Sequence, residues 1–161
     1  MDDLVQFLHA RLDEDTTAAQ TAASKAGGGT WAAGTEHGKP WVSGLPAPGG
    51  YVVPLLIEFG YGNPDDYERA VHIARHDPAR ALREVEAKRR LLNDHPIQRE
   101  TYPRPASGDK EVGGPHFPFG CATCHAEPDT GEVHGFGYCL TWKALTLPYA
   151  DHPDYRDTWR P

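Results

Sequence analysis

The sequence predicts a single α+β domain in which a small antiparallel β-hairpin or sheet packs on three to four helices. Three observations predict this fold class. Apolar residues recur at helical spacing in two stretches, a glycine-rich stretch with β-branched and aromatic residues lies between them, and the last third combines turn residues with clustered cysteines. A chain of 161 residues is long enough to bury a core of its own.

The first predicted element is a helix over residues 1–26. Its apolar residues recur at spacings of three and four, which places them on one stripe of the helix. These residues are Leu4, Val5, Phe7, Leu8 and Leu12. We expect Asp2 or Asp3 to cap the first turn, where a carboxylate also meets the positive end of the helix dipole. Three consecutive glycines from residue 27 end the helix.

Residues 27–62 are predicted to form a β region that is rich in glycine. Trp31 and Trp41 are expected to anchor short strands on the core. The clearest strand covers residues 51–59, where β-branched and aromatic side chains suit a pleated surface. Pro54 lies within this run and predicts an edge strand or a bulge, because proline has no N–H to donate to a sheet.

Residues 63–95 are predicted to form a pair of helices. Asn63-Pro64 and Asp77-Pro78 each combine a capping residue with a proline suited to the first helical position. We expect the second helix to cover residues 78–94. The expected buried residues are Tyr67, Ala70, Val71 and Ala74 in the first helix and Ala81, Leu82, Val85 and Leu92 in the second.

The remaining residues, 96–161, are predicted to form a loop region, a short helix and a tail. Residues 96–120 lack periodicity and are rich in proline and glycine, so we expect a long loop there. A short helix follows Cys139 and ends at Pro148. The aromatic and charged tail over residues 149–161 is expected to lie across the surface.

The charge distribution argues against a general attraction to nucleic acid. The chain has 23 acidic and 16 basic residues, a net charge of −7, whereas nucleic-acid binding usually needs a positive surface. The helix over 78–94 is nevertheless locally basic, and we interpret its charges mainly as a solvated helix face. If this helix bound nucleic acid, its phosphate contacts would be Arg83, Lys88, Arg89 and Arg90.

The sequence predicts neither a membrane span nor a secretory signal. No stretch approaches the ~20 consecutive apolar residues of a spanning helix, and no long apolar run follows the acidic start Met1-Asp2-Asp3. We therefore expect a cytoplasmic protein without membrane association, whose cysteines stay reduced.

Three cysteines lie close together, as Cys121-Ala-Thr-Cys124 followed by Cys139. An odd number of thiols in a reducing compartment disfavours disulfide pairing. A CxxC turn brings two thiolates to one ion, and a third cysteine about 15 residues later fits the second half of a zinc ribbon or knuckle. The pattern predicts a structural Zn²⁺ that stabilises the C-terminal loop region, held by four N or S donors.

Spacing alone leaves the fourth ligand open. His134, which is separated from Cys139 by four intervening residues, is the natural local candidate. His116 and His125 flank the CxxC motif. His95 directly follows the helix predicted over 78–94, from where it could tie that helix to the cysteines and close the loop.

Other interpretations of these residues are weaker. The C-x-x-C-H pattern over residues 121–125 matches the attachment signal of c-type haem, but such haem belongs to exported proteins and the sole methionine is Met1. A thioredoxin-like redox role is also weak, because such a CxxC motif lies between a strand and a helix of a βαβ unit and this one does not. His72 and His76, one helical turn apart, could form a ligand pair, although such residues more often lie at the surface.

Five blocks of the chain carry a family resemblance. They are Met1–Leu8, Arg11–Asp15, His72–Arg80, Glu84–Arg90 and Leu147–Tyr155. Together they resemble a family of small actinobacterial and phage proteins known only as a domain of unknown function. In that family a histidine closes the long helix, and a CxxC and a cysteine entering the last helix follow.

The resemblance implies a particular ligand set and no activity. The implied metal ligands are His95, Cys121, Cys124 and Cys139. The chain departs from the family pattern in a glycine-rich insert around residues 27–50 and in an enlarged loop at 125–138, and the second departure keeps His134 as an alternative fourth ligand.

These observations predict a small zinc-binding protein that acts without catalysis, by binding a protein partner or as a regulator, because four protein donors leave no open metal position. Nucleic-acid binding through the 78–94 helix is one alternative. A metal-dependent hydrolase or nuclease is another, for which His72, His76 and Asp77 supply suitable residue types, although Asp77 is better explained as a helix cap. Sequence motifs of zinc proteases, deaminases, phosphate-binding loops and nucleophile elbows are absent.

Overall fold

The computed structural model describes residues 2–45, 55–59, 65–102 and 116–161. These ranges contain four α-helices, namely α1 (Asp2–Lys25), α2 (Asp66–Arg75), α3 (Pro78–Asp94) and α4 (Leu140–Thr146). They also contain five strands, namely β1 (Trp31–Glu36), β2 (Lys39–Gly44), β3 (Leu55–Glu58), β4 (Ile97–Arg99) and β5 (Phe119–Cys121). The strands form two small antiparallel sheets, so the predicted α+β class is confirmed.

The chain groups into two compact units. Leu12–Ala87 form one, which we call the sheet unit, and Met1–Arg11 with Lys88–Pro161 form the other, which we call the cysteine unit. Helices α1 and α3 each contribute residues to both. None of the helices in the described ranges has the length and apolar character needed to cross a bilayer.

The sheet unit contains the three-stranded antiparallel sheet that the sequence predicts, in the order β1-β2-β3. His37 and Gly38 both have positive φ angles, 49° and 75°, at the turn from β1 to β2, as a tight two-residue hairpin turn requires. Strand β3 lies at an edge, and its pairing with β2 shifts between Val42 and Ser43. The start of the predicted strand, residues 51–54, lies outside the described residues.

The core of the sheet unit lies between α2 and the sheet. Val42, Ala70 and Ala74 are buried there, and the expected anchor Trp31 packs against them. The expected burial of Tyr67 is wrong, because its side chain is 43% exposed. The buried stripe of α2 runs through Asp66, Ala70 and Ala74, and one residue along a helix is a rotation of about 100° away from such a stripe.

Asp77 caps α3, as predicted. Its Oδ1 accepts a hydrogen bond from the Arg80 N–H at 2.7 Å, and its Oδ2 accepts one from the Trp31 N–H at 3.3 Å. The buried carboxylate therefore satisfies one backbone donor at the helix start and one in β1. Asn63 and Pro64, the predicted start of α2, lie outside the described residues.

The cysteine unit contains a short sheet where the sequence predicts a loop. Strands β4 and β5 pair antiparallel, with Ile97 opposite Cys121 and Arg99 opposite Phe119. The prediction of a continuous loop over 96–120 is thus wrong at both ends, because three-residue strands are too short to show an alternating pattern. Residues 103–115 lie outside the described residues.

The tail packs on the start of α1 within the cysteine unit. The Phe7 ring contacts four tail rings at centroid distances of 4.9 to 6.4 Å; they belong to Tyr149, His152, Tyr155 and Trp159. Trp159 is buried, so the tail does more than lie across the surface. Asp3 lies inside α1 and not before it, which makes the predicted capping role wrong for Asp3. The side chain of Asp2 lies outside the part of the chain that the structure describes. The Asp3 carboxylate instead accepts a hydrogen bond from Arg156 at 2.6 Å.

Helix α4 ends earlier than expected. It stops at Thr146, and Leu147–Tyr149 continue as a 3-10 turn that contains Pro148. Trp142 is its buried apolar residue, whereas Leu140 is 70% exposed. The orientation of α4 is therefore determined by Trp142, which lies three residues after Cys139.

Candidate metal centre

Four side chains from three parts of the cysteine unit converge. The ligand atoms of His95, Cys121, Cys124 and Cys139 all lie within 4.8 Å of one another. His95 Nδ1 lies 3.3 Å from Cys124 Sγ, 3.6 Å from Cys121 Sγ and 3.8 Å from Cys139 Sγ. One imidazole nitrogen thus faces three sulfur atoms.

These distances match the edges of a tetrahedral metal site. With Zn–S bonds of about 2.3 Å and Zn–N bonds of about 2.0–2.1 Å, a tetrahedral angle places nitrogen and sulfur about 3.6 Å apart. The three observed N–S distances lie on both sides of that value. The four residues therefore fit the donor set and the spacing of a single four-coordinate ion.

His95 is positioned by backbone contacts at the end of α3. Its N–H donates to the Leu92 carbonyl at 3.2 Å, which continues the last helical turn. Its carbonyl accepts a hydrogen bond from Trp142 Nε1 at 2.7 Å. Because Trp142 is buried in α4, this bond links the His95 backbone to the helix that begins directly after Cys139.

The CxxC turn is attached to the same helix end. Cys121 closes β5, and the next residue, Ala122, donates its N–H to the Pro96 carbonyl at 2.9 Å. The Thr123 hydroxyl donates to the Asp94 carbonyl at 2.5 Å. The backbone therefore places the CxxC turn against the residues on either side of His95.

His125 closes the CxxC turn without joining the cluster. Its N–H donates to the Cys121 carbonyl at 2.9 Å, and its Nδ1 accepts a hydrogen bond from the Cys121 N–H at 3.1 Å. Burial, and then the nearby His134, lower the pKa of His125. Both effects favour the neutral ring that this acceptor role requires.

The thiols influence one another's protonation. Partial burial, followed by the Cys139 thiol, raises the pKa of Cys124 to about 12, although the residue as a whole is exposed. Burial also raises the pKa of Cys139, but the Trp142 and Thr141 N–H groups at the start of α4, with the other two thiols, outweigh it and lower that pKa overall. A cation at the centre would stabilise all three thiolates at once.

The other candidate histidines near the cysteines have different partners. His134 Nε2 lies 3.2 Å from Glu127 Oε2, and its ring stacks on Tyr102. His116 Nε2 lies 2.8 Å from the Glu100 carboxylate. The structure thus brings His95 to the three cysteines and places His134 and His116 in separate contacts with acidic residues.

The residues considered for hydrolysis belong to the sheet unit, and each has a local structural explanation. His72 in the last turn of α2 and His76 directly after the helix are both exposed, with ring centroids 4.4 Å apart, and His76 Nδ1 contacts the His72 carbonyl at 2.9 Å. Asp77 is occupied with backbone N–H groups, as described above. These side chains therefore explain local helix structure better than a catalytic site.

The basic residues of α3 differ in their surroundings. Arg83 and Arg90 are exposed, whereas Lys88 and Arg89 are half-buried. Lys88 Nζ lies 3.4 Å from the Tyr149 hydroxyl and 5.3 Å from the centroid of that ring. This contact within the cysteine unit explains Lys88 as a packing residue.

Sequence reasoning missed the residues that hold the cluster in place. Trp142 and Thr123 donate hydrogen bonds to carbonyls around His95, and His125 closes the CxxC turn. The spacing of Trp142 after Cys139 is a usable signal, because a residue three positions after a ligand at a helix start lies on the same face of the helix as that ligand.

Comparison with known proteins gives one result. No curated protein and no solved structure matches the chain. The model of a protein family of unknown function matches the whole chain, which confirms the resemblance to a domain-of-unknown-function family. The chain belongs, over residues 1–161, to the family of unknown function DUF6221.

Proposed function

We propose that the chain binds one structural Zn²⁺ through His95, Cys121, Cys124 and Cys139, and that it acts without catalysis as a protein-binding or regulatory module. The observation that carries this proposal is the convergence of one imidazole nitrogen and three sulfurs at tetrahedral spacing. When bound, the ion would cross-link three chain segments that are far apart in sequence.

The donor set favours zinc over other common ions. Thiolates are soft ligands, and three of them with one imidazole are typical of structural zinc sites. Magnesium and calcium prefer oxygen donors, and the cluster offers no carboxylate. Free thiols persist in a reducing environment, so we also propose the cytoplasm as the compartment.

A binding role follows from the closed coordination. Four protein donors complete a tetrahedron and leave no position for a substrate or an activated water. The residue types suitable for hydrolysis lie on α2 and at the start of α3, where they serve helix structure. A metal-dependent hydrolase or nuclease therefore has weaker support than a binding module.

A protein partner has more support than nucleic acid. The net charge of −7 opposes phosphate binding, and one of the four basic residues proposed for such contacts, Lys88, packs on Tyr149. A nucleic-acid role would predict a mobility shift with DNA or RNA at low salt, and we expect none at micromolar protein.

Native mass spectrometry with metal analysis tests the ligand set. We expect one zinc per chain in the wild type, loss of the zinc in His95→Ala, and its retention in His134→Ala. His134 is the matched control because it lies in the same unit and pairs with Glu127. Retention of zinc by His95→Ala, or its loss from His134→Ala alone, would contradict the proposed ligand set.

A further inference from the structure

We propose that a stacked set of rings in the cysteine unit is the docking surface for an arginine-bearing segment of a partner protein. This inference rests on the proposed binding role and names the chemistry of the partner. The set consists of Tyr102, His134 and Phe136, and we call it the aromatic ladder. Its rings belong to two chain segments that lie beside each other.

The ladder is a continuous stack. The ring centroids of Tyr102 and His134 are 4.0 Å apart, with an angle of 27° between the ring planes. The ring centroids of His134 and Phe136 are 5.1 Å apart, and their planes are parallel within 1°. The His125 ring meets Phe136 edge-on at 5.4 Å. Three π systems are thus aligned, with the histidine in the middle.

The two outer rings are accessible. Phe136 is 55% exposed and Tyr102 is 37% exposed. A phenylalanine with that exposure contributes less hydrophobic free energy to folding than a buried one. Single exposed apolar residues are nevertheless common at protein surfaces. A phenylalanine that is exposed at the end of an ordered stack is less readily explained by folding alone.

Backbone hydrogen bonds hold the ladder in place. The Val133 carbonyl accepts hydrogen bonds from the Thr101 and Tyr102 N–H groups at 3.0 and 3.2 Å. The Val133 N–H donates to the Thr101 hydroxyl at 2.8 Å, and the His134 N–H donates to the His125 carbonyl at 2.9 Å. A surface that is ordered before binding loses little entropy when a partner arrives.

The segment that carries His134 and Phe136 is negatively charged, whereas in the segment that carries Tyr102 the charges of Arg99 and Glu100 cancel. Residues 116–142 contain three acidic residues and no lysine or arginine. Glu127 contacts the ladder directly through His134 at 3.2 Å, and its N–H donates to the Glu132 carbonyl at 2.7 Å, which places both acidic residues on one short turn. With three thiolates and one neutral imidazole, a divalent ion would leave the candidate metal centre at −1.

Exposed aromatic side chains beside a carboxylate favour a planar cation. A guanidinium group stacks on an aromatic face through its π system and pairs with a carboxylate through its N–H groups. An arginine side chain can therefore contact Phe136 and Glu127 together. Single-stranded nucleic acid also stacks on exposed rings, but its phosphates would be repelled by this acidic segment.

The test is a titration of the metal-loaded full chain at physiological salt. The probe is an acetylated and amidated nine-residue peptide in which arginine and glycine alternate, and the matched control peptide has citrulline in place of arginine. We expect saturable binding of the arginine peptide, and binding at least about tenfold weaker for the citrulline peptide.

Variants locate the surface. We expect Phe136→Ala to weaken binding of the arginine peptide about tenfold. Phe136→Leu should weaken it also, because it keeps the bulk and removes the ring. Glu127→Gln should weaken binding several-fold, whereas Leu147→Ala, an exposed apolar residue of the same unit that is 43% exposed, should leave it unchanged.

Three outcomes would overturn the proposal: no saturable binding by the metal-loaded wild type, binding by both Phe136 variants that is as tight as that of the wild type, or tighter binding of an oligodeoxythymidine than of the arginine peptide. The metal content of the same samples keeps the two proposals apart. A metal-free wild type would contradict the proposed zinc site whatever the peptide does, and failure of a metal-loaded chain to bind the peptide would contradict the docking surface alone.

Discussion

The sheet unit and the cysteine unit are ordered by different interactions. The sheet unit has strands of four to six residues packed on a helix, and its core residues Val42 and Ala70 are fully buried. In the cysteine unit, the four converging residues lie at the ends of elements or in turns: His95 directly after α3, Cys121 at the end of the three-residue strand β5, Cys124 in the turn that follows, and Cys139 directly before the seven-residue helix α4. Two-stranded sheets and short helices are marginal by themselves in water. Both units bury apolar side chains, among them Val42 in the sheet unit and Trp142 and Trp159 in the cysteine unit. We expect ligation to be needed in addition only in the cysteine unit, where it would fix the short elements around the four converging residues.

Removal of the metal has the largest expected effect on this contrast. Structural zinc contributes about 10–16 kcal/mol of apparent binding free energy in zinc-finger peptides. With a chelator present, we expect backbone amides of β4, β5 and α4 to lose protection from hydrogen exchange, while β1 and β2 keep theirs. Equal loss in both units, or none in either, would contradict the comparison.

The second-largest expected effect is a pH dependence of metal affinity, which only the cysteine unit should show. Zinc binds thiolates, and the metal-free Cys124, with its pKa raised to about 12, is protonated at neutral pH. Binding must displace that proton, so metal affinity rises with pH, by up to about tenfold per pH unit for each proton displaced. Competition with a metal indicator at pH 6 and pH 8 measures this change. A constant affinity would show that no thiol proton is displaced.

A cap substitution should affect the sheet unit alone. Asp77→Ala leaves the Trp31 and Arg80 N–H groups without their acceptor, and we expect a loss of about 1–2 kcal/mol in the free energy of unfolding. Asp77→Asn keeps an acceptor and should cost less. Denaturant unfolding measures both variants. Zinc stoichiometry should stay at one per chain, and its loss in Asp77→Ala would show that the units are not separable in this way.

The fold was predictable where apolar patterns extend over several turns or strands. The stripe from Leu4 to Leu12 predicts α1, and Asp77-Pro78 predicts the start of α3, because each signal is local. Strands β4 and β5 could not be predicted, since three residues carry no period and their pairing joins positions 20 to 24 residues apart. The predicted stripe of α2 agrees with the structure at Ala70 and Ala74 and is wrong at Tyr67, because Asp66, one residue earlier, occupies the buried position there.

The candidate site was predictable in part for a related reason. The spacing of Cys121, Cys124 and Cys139 predicts thiol clustering, since a CxxC turn is local. Spacing favours His134 as a fourth donor, whereas the family resemblance points to His95. The structure brings His95 to the thiols through β4, β5 and the Trp142 hydrogen bond, which are long-range contacts that no local pattern reveals.

X-ray absorption spectroscopy at the zinc edge of the purified full chain tests the central claim most directly. The account requires three sulfur atoms at about 2.3 Å and one nitrogen at about 2.0 Å around a single zinc. The His134→Ala variant should give the same spectrum. A shell containing oxygen donors, a shell with fewer than three sulfurs, or a natively folded chain without metal would contradict it.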